Sequence, residues 1–283
     1  MLTFPLIYAK IIMIKMCKKG ITMNNIQNTS EQNPIKLETI SDTLRIYQQK
    51  GVFSYGTDAV LLSAYAASFM KFSTKRTLFD LCSGTGIIGL MLLDHFRNSD
   101  CLSADAVEIN KDAARLSEMS AEESSLSDKY QVHNMDLKNI RESFDGDIAD
   151  FITVNPPYMT ASCGLMCEDD YKTIARHEIL CNLEDIFKSA FHLLKTGGNM
   201  FVVYRPDRLS TLFSAARSAK LEIKNMTYVH SKENAESKLV LCKLQKGAKE
   251  GMKISRPFVM YKNDGEYSED YITVRDKGVM EIG

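Results

Sequence analysis

The hydrophobic pattern is most regular from residue 77 onward, where short apolar runs alternate with stretches of helical apolar spacing. The short runs predict strands, and apolar positions three or four residues apart predict helices. Because parallel neighbours need a long connection, this alternation indicates a parallel sheet with crossover helices. The predicted strands are residues 77–82, 104–109, 130–134, 148–154 and 199–204, and the predicted helices are residues 87–96, 111–123, 183–194 and about 206–219.

The last two apolar runs, 221–229 and 238–244, differ from the earlier runs. Only a polar turn joins them, without a helical stretch between. They predict an antiparallel strand pair. With the earlier runs they predict a Rossmann-like α/β fold, in which a mostly parallel, doubly wound sheet of seven strands closes on this pair. Asn182 predicts the start of the helix before it, and Gly197 with Gly198 predicts the stop of that helix.

The flanks of the sheet carry weaker signals. Thr57 and Asp58 predict the cap of a helix over residues 59–70, and residues 258–267 predict a hairpin around an Asn-Asp-Gly turn. We expect one main domain over residues 36–247, followed by a tail over 248–283.

The N-terminal segment is unusual, because its apolar residues 2–16 are interrupted by Lys10 and Lys15 and are followed by Lys18 and Lys19. A secretory signal has the opposite order, and a membrane span needs about 20 apolar residues. We expect residues 1–35 to be a disordered or spurious extension, with 1–22 arising from a misassigned start. The alternative is a weak membrane-surface anchor.

Composition limits the classes of function. The chain has 283 residues, 45% hydrophobic content and a net charge of −1, so nucleic acid would have to bind through local basic patches. The seven cysteines show no CxxC spacing, which favours reduced thiols over a metal site. We expect a cytoplasmic monomer without metal or membrane attachment.

A glycine-rich turn, residues 80–86, follows the first predicted strand. Gly84 and Gly86 would let the backbone approach a ligand closely, although Cys82 stands where a glycine is common. The carboxylate of Asp80 would repel a pyrophosphate and suits a cofactor with a cationic amino-acid end, such as S-adenosylmethionine. A turn that binds nothing is the alternative.

Acidic residues follow the next two predicted strands. Glu108, before Ile109, has the placement of an acid that accepts hydrogen bonds from ribose hydroxyls. Asp136, before Leu137, is suited equally to binding an adenine amine and to capping the following turn. A solvated carboxylate is the alternative for Glu108.

The most informative motif, Asn155-Pro156-Pro157-Tyr158, follows the apolar run 151–154. An exocyclic amine is a poor nucleophile because its lone pair is delocalised, so it must become pyramidal as it attacks. The Asn155 amide oxygen and the Pro156 carbonyl can accept its two hydrogens, and Tyr158 can stack on the base. Pro157 stiffens the loop. The motif predicts methyl transfer to a planar nitrogen, and a merely stiff loop is the alternative.

Four segments in this order resemble the bacterial tRNA1(Val) adenosine-37 N6-methyltransferase family of class I methyltransferases: FSYGTDAVLL (53–62), DLCSGTGIIG (80–89), VEIN (107–110) and NPPY (155–158). The likeness spans residues 37–245, and segments 175–178 and 204–206 resemble its Gram-positive branch. It implies that NPPY holds the target base and that a second group of residues lines the cofactor site. That group is Tyr55, Thr57, Asp80, Cys82, Gly84, Gly86, Glu108, Ile109, Asp136, Leu137 and Asn155.

Basic residues suggest where RNA would bind. Arg176 and His177 follow NPPY in a loop at the ligand-facing edge of such a sheet, and we expect them, with Arg205, to contact the substrate. The alternative is a solvated surface helix. A basic stretch near the C-terminus consists of Lys238, Lys243, Lys246, Lys249, Lys253 and Arg256. It either binds a row of RNA phosphates or is a soluble tail.

Other functions also fit parts of the pattern. Enzymes that methylate a release-factor glutamine use NPPY too, but usually carry a helical N-terminal domain for which there is little room here. DNA adenine methylation would need a target-recognition domain. A non-catalytic RNA-binding protein with this fold is the alternative from another class, and the intact motifs argue against it.

Overall fold

The computed structural model describes residues 34–52, 55–156 and 182–282. Its strands are β1 (Ile35–Thr39), β2 (Arg45–Gln49), β3 (Arg76–Leu81), β4 (Leu102–Glu108), β5 (Tyr130–Asn134), β6 (Ala149–Val154), β7 (Leu194–Tyr204), β8 (Leu221–Lys232), β9 (Ser237–Lys246), β10 (Lys253–Ile254) and β11 (Phe258–Tyr261). Its α-helices are α1 (Thr57–Phe69), α2 (Ile87–His95), α3 (Lys111–Glu123), α4 (Ile140–Ser143), α5 (Leu183–Leu193), α6 (Leu209–Ser218) and α7 (Glu269–Lys277). Short 3-10 turns span Leu137–Asn139 and Pro206–Arg208.

The main sheet of the described residues has the strand order β10-β8-β9-β7-β6-β3-β4-β5, with β11 also paired to β8. Strands β5, β4, β3, β6 and β7 are parallel, and β9 lies antiparallel between β7 and β8. The predicted doubly wound sheet with its C-terminal antiparallel pair is therefore confirmed. Among the described residues it has nine strands instead of the predicted seven, because the short strands β10 and β11 also pair with β8. Its chain order reverses between β3 and β6, which is where such sheets place their ligands.

Alternation along the strands divides the core between the two faces of the sheet. In β3, Leu78 packs with α1 and α2, whereas the next residue, Phe79, packs with α5 and α6 on the other face. Both side chains are almost fully buried. Burying a side chain of this size stabilises the fold by about 1.5–3 kcal/mol, so both helical layers hold the sheet in place.

Two predicted helix boundaries are wrong. Helix α1 begins at Thr57, and its N-cap is Gly56, which makes no side-chain capping bond. The predicted stop at Gly197 and Gly198 is also wrong, because β7 begins at Leu194, directly after α5. A Cβ on Gly198 would lie 2.9 Å from the Lys195 carbonyl oxygen, so this glycine permits a close backbone approach within a bulged strand.

The C-terminal residues join the main sheet. The chain reverses around residues 263–265 as predicted, and Tyr261 pairs with Tyr267 in an isolated antiparallel bridge. However, β11 also pairs in parallel with β8, which no local pattern in the sequence predicted. After this turn, α7 places Tyr271 and Val274 in the same core cluster as α1.

The hairpin of β1 with β2 packs against α3 through β2. The backbone N–H groups of Arg45 and Tyr47 in β2 donate to the hydroxyls of Ser124 and Ser120, at 3.0 and 2.9 Å. These two serines accept hydrogen bonds from N–H groups on the outer edge of β2. Without them, these N–H groups could pair with a strand of another protein.

Candidate active site

The carboxyl ends of the central parallel strands meet at one edge of the sheet. Leu81 at the end of β3 lies opposite both Val107 in β4 and Val154 in β6, and Glu108 lies opposite Asn134 in β5. The residues that follow these strand ends are therefore neighbours. This edge brings together the glycine turn, Glu108, Asp136 and Asn155, as the sequence pattern predicted.

The glycine-rich turn has a left-handed backbone at Cys82 (φ 56°), Gly84 (φ 57°) and Gly86 (φ 79°). Gly86 is also the N-cap of α2. A Cβ on Gly86 would lie 2.1 Å from the Ser117 Oγ and 2.4 Å from the Tyr130 hydroxyl. This glycine is therefore required for packing against α3 and β5, a reason that the sequence pattern did not reveal.

Glu108 connects the end of β4 to the glycine turn. Its Oε2 accepts a 2.8 Å hydrogen bond from the backbone N–H of Gly84, and its Oε1 accepts one of the same length from Asn110. Asn110 in turn caps α3 through its side chain. Glu108 therefore connects the glycine turn to the end of β4 and, through Asn110, to the start of α3.

Asp80 lies beneath the turn and is fully buried. Its Oδ2 accepts a 3.0 Å hydrogen bond from the backbone N–H of Gly89, and its Oδ1 accepts one of 2.7 Å from the Thr153 hydroxyl. Burial raises the pKa of Asp80 to about 7, and these two bonds oppose that effect. Asp80 therefore supports the turn from inside, and its direct contact with a cofactor stays a prediction.

Ser83 is a buried polar residue within the glycine-rich turn. Its hydroxyl is buried, and among the described residues it has no hydrogen-bond partner. A buried polar group without a partner costs about 1–3 kcal/mol, so the site favours a ligand with a polar atom at this position. Ser83 was not among the site residues predicted from the sequence.

Asn155 follows β6, and its side-chain Nδ2 donates a 3.0 Å hydrogen bond to Oδ2 of Asp58 in the first turn of α1. Asn155 is half-buried and Pro156 is buried. The contact with Asp58 joins the motif to the helix that precedes the sheet. The predicted residues Pro157, Tyr158, Arg176 and His177 lie outside the described residues.

The other predicted site residues have mainly structural partners. The Tyr55 hydroxyl donates to Oε2 of Glu38 at 2.9 Å, and Thr57 is the first residue of α1. Ile109, after β4, is 36% exposed, which leaves an apolar surface beside Glu108.

Asp136 caps the 3-10 turn that begins at Leu137. Its Oδ1 accepts a 2.9 Å hydrogen bond from the backbone N–H of Lys138, and Leu137 is buried. Of the two roles open to Asp136, the capping role is therefore present in this structure. Binding of an adenine amine stays a prediction.

Arg205 follows β7 at the same edge. Its guanidinium donates to both carboxylate oxygens of Asp207, at 2.9 and 2.8 Å, so a phosphate would have to compete with this ion pair. The basic stretch also has internal partners, since Lys246 bonds to Asp147 and Arg256 makes two bonds to Asp270. These contacts favour a structural role for both residues.

The chemistry of the edge suits S-adenosylmethionine. The Glu108 carboxylate lies at the turn, where its charge would repel a phosphate and favour a cationic ligand. The unpaired Ser83 hydroxyl offers a polar contact inside the turn.

Within the described residues, no group of three or more His, Cys, Asp and Glu side chains could hold a metal ion. In the same part of the chain, no helix is long and apolar enough to cross a membrane.

Known proteins agree with this geometry. The methyltransferase small domain family matches residues 43–220. A "tRNA1(Val) (adenine(37)-N6)-methyltransferase" from Phocaeicola vulgatus is 30% identical over 196 residues, which cover 69% of this chain and 78% of the relative. A protein of the same name from Parabacteroides distasonis is 31% identical over 202 residues, which cover 70% of this chain and 79% of the relative.

Solved structures share the fold. A "predicted O-methyltransferase" from Agrobacterium tumefaciens superposes with a TM-score of 0.63 and covers 79% of this chain and 98% of that one. At 16% identity, this likeness shows the fold alone.

The assignment to a Gram-positive branch stays a prediction. The chain belongs to the methyltransferase small domain family, and to the family of the tRNA1(Val) (adenine(37)-N6)-methyltransferases.

Proposed function

We propose that this protein transfers a methyl group to N6 of adenosine 37 in the anticodon loop of a valine tRNA. The observation that carries the proposal is the position of Asn155, directly after β6 and at the same sheet edge as the glycine turn and Glu108. Two relatives that are 30% and 31% identical to this chain are named for that reaction.

Asn155 supplies the acceptor that the target amine requires. Its Nδ2 already donates to Asp58, so its amide oxygen is the atom that turns toward a substrate. This oxygen and the Pro156 carbonyl accept the two hydrogens of the target amine. The nitrogen lone pair then points out of the plane of the base. Such preorganised acceptors stabilise the transition state without acting as strong bases.

S-adenosylmethionine is the cofactor, and when bound it supplies a methyl group on a positively charged sulfur. Glu108 would accept hydrogen bonds from its ribose hydroxyls, and Ser83 would provide the additional polar contact within the turn. Hydrogen bonds within the protein also hold the turn, because Glu108 and Asp80 accept from the backbone N–H groups of Gly84 and Gly89. Binding therefore needs little reorganisation of these residues.

A single-stranded loop adenosine suits such a site better than duplex DNA. A base in a loop can be splayed out of its stack at low cost, whereas a paired base has to be flipped out. With a net charge of −1, the protein would hold RNA through a few local contacts. Since tRNA is the substrate, we place the enzyme in the cytoplasm.

The proposal is tested by incubating purified protein with labelled S-adenosylmethionine and tRNA from cells that lack this gene. We expect N6-methyladenosine at one position of a valine tRNA, detected by nucleoside mass spectrometry. Release factor is included as a parallel substrate. Methylation of its glutamine but not of tRNA would overturn the proposed substrate, and no transfer to either would favour a non-catalytic RNA-binding protein.

A further inference from the structure

Asp58 is held against Asn155 by the local shape of the α1 N-terminus. The two residues are 97 positions apart in sequence, yet Asn155 Nδ2 lies 3.0 Å from Asp58 Oδ2. The neighbouring N-cap residue, Gly56, has an extended backbone (φ −114°) that any residue could adopt. A Cβ on Gly56 would nevertheless lie 2.6 Å from Asp58 Oδ1, so the absence of a side chain there leaves room for the carboxylate.

The contact determines which way the Asn155 amide points. An asparagine side chain has a donor and an acceptor at nearly the same distance from Cβ, so it can face a target amine with either group. An ionised carboxylate only accepts hydrogen bonds, and therefore attracts Nδ2 and repels Oδ1. The positive end of α1 favours the negative charge of Asp58 in the first turn.

The target amine is a donor, so only one of the two amide orientations can bind it. We infer that Asp58 is a positioning residue for methyl transfer, which holds the Asn155 amide with its oxygen toward the target nitrogen. This inference rests on the proposed function, because orientation matters only for a substrate with an N–H donor. Asp58 acts on the substrate through Asn155.

The first test compares Asp58→Ala with Asp112→Ala. Asp112 is also an acidic residue in the first turn of a helix, α3, whose N-cap is Asn110. For Asp58→Ala we expect kcat to fall by about 10–100-fold, with KM for tRNA and cofactor changed by less than about threefold. Asp112→Ala should retain the wild-type kcat. A loss confined to KM would overturn the inference.

Gly56→Ala provides an independent test that keeps the charge. The new Cβ would displace the end of the flexible Asp58 side chain, and we expect kcat to fall by about tenfold. An unchanged kcat in this variant would contradict the positioning role.

Exchange of the two side chains provides a rescue experiment. In Asn155→Asp alone, two carboxylates would face each other, and the new residue would lose its fixed orientation. In the double variant Asp58→Asn with Asn155→Asp, the new amide donates to the new carboxylate, whose other oxygen faces the target. We expect the double variant to exceed Asn155→Asp in kcat by at least about tenfold. A double variant no faster than the single one would overturn the inference.

A measurement without RNA separates this inference from the proposed function. In the ¹⁵N-labelled protein, the side-chain amide signals of Asn155 are assigned by their loss in Asn155→Ala. Their hydrogen-bonded proton should shift upfield in Asp58→Ala and stay unchanged in Asp112→Ala. If the wild type methylates no tRNA, the proposed function fails, whereas unchanged Asn155 signals in Asp58→Ala would overturn the positioning role alone.

Discussion

Thr153 in β6 donates a 2.7 Å hydrogen bond from its hydroxyl to Oδ1 of Asp80, at the end of the neighbouring strand β3. The carboxylate has no exposed surface, and burial raises the pKa of Asp80 to about 7. An aspartate in the unfolded chain has its ordinary pKa near 3.8, so the folded protein keeps a proton on Asp80 that the unfolded chain releases.

The resulting prediction concerns stability as a function of pH. Because the pKa of Asp80 is raised on folding, its contribution is fully present below about pH 4 and is lost as pH rises through about 7. Asp80→Asn keeps a neutral group that can still accept from Gly89 and donate to Thr153. The free energy of unfolding of the wild type, measured relative to that of Asp80→Asn, should fall by up to about 4 kcal/mol over that pH range.

Denaturant unfolding at several pH values measures this difference. Asp128→Asn, at an exposed position, is the matched control and should follow the wild type. A constant difference between wild type and Asp80→Asn across the range would show that Asp80 stays ionised in the folded protein.

Gly86→Ala should destabilise the fold through a close contact. Its Cβ would lie 2.1 Å from Ser117 Oγ and 2.4 Å from the Tyr130 hydroxyl, and both partners are buried. Overpacking of this kind costs about 1–3 kcal/mol, in addition to about 1–2 kcal/mol for the left-handed backbone.

Gly197→Ala is a control with the same backbone constraint. Gly197 also has a positive φ, of 85°, but nothing lies within 4 Å of its Cβ position. The free energy of unfolding of Gly197→Ala should therefore fall only by the contribution of the left-handed backbone. Equal losses of unfolding free energy in the two variants would mean that the space beside Gly86 relaxes freely.

Glu108→Gln should weaken binding of S-adenosylmethionine. Glutamine has nearly the same size but lacks the charge, and charge-assisted hydrogen bonds contribute about 1.5–3 kcal/mol. We expect the dissociation constant, measured by calorimetry, to rise by about 10–150-fold. Glu118→Gln on the exposed face of α3 is the control. Unchanged affinity in Glu108→Gln would remove Glu108 from the cofactor site.

Much of the fold could be predicted because its signals are local. The boundaries of α3 and β5 were predicted to the residue, since the alternation of apolar and polar positions follows directly from burial on the sheet faces. The start of α1 was wrong because Thr57 and Asp58 are typical capping residues. Here the Asp58 carboxylate is directed to Asn155 instead of to the helix N–H groups.

The parts of the site that escaped prediction depend on contacts between distant segments. Asp58 and Asn155 are 97 positions apart, and Gln48 donates to the Thr85 hydroxyl across 37 positions. Neither pair has a spacing or motif that marks it in a single sequence. The pairing of β11 with β8 escaped for the same reason, because the strong local turn at residues 263–265 indicated only a hairpin.

Asn155→Ala should nearly abolish methyl transfer and leave cofactor affinity within a few-fold of wild type. The amide oxygen acts on the target nitrogen mainly as it becomes pyramidal, so its loss affects the transition state more than the bound cofactor. Removal of one preorganised hydrogen-bonding group of this kind typically lowers kcat by about 100–1000-fold. The alanine also leaves Asp58 without its amide partner, so thermal unfolding is measured alongside to separate a loss of fold from a loss of rate. Near-normal turnover in a folded Asn155→Ala protein would contradict the role assigned to this side chain, whereas a lost rate with intact cofactor binding would support its action on the target nitrogen.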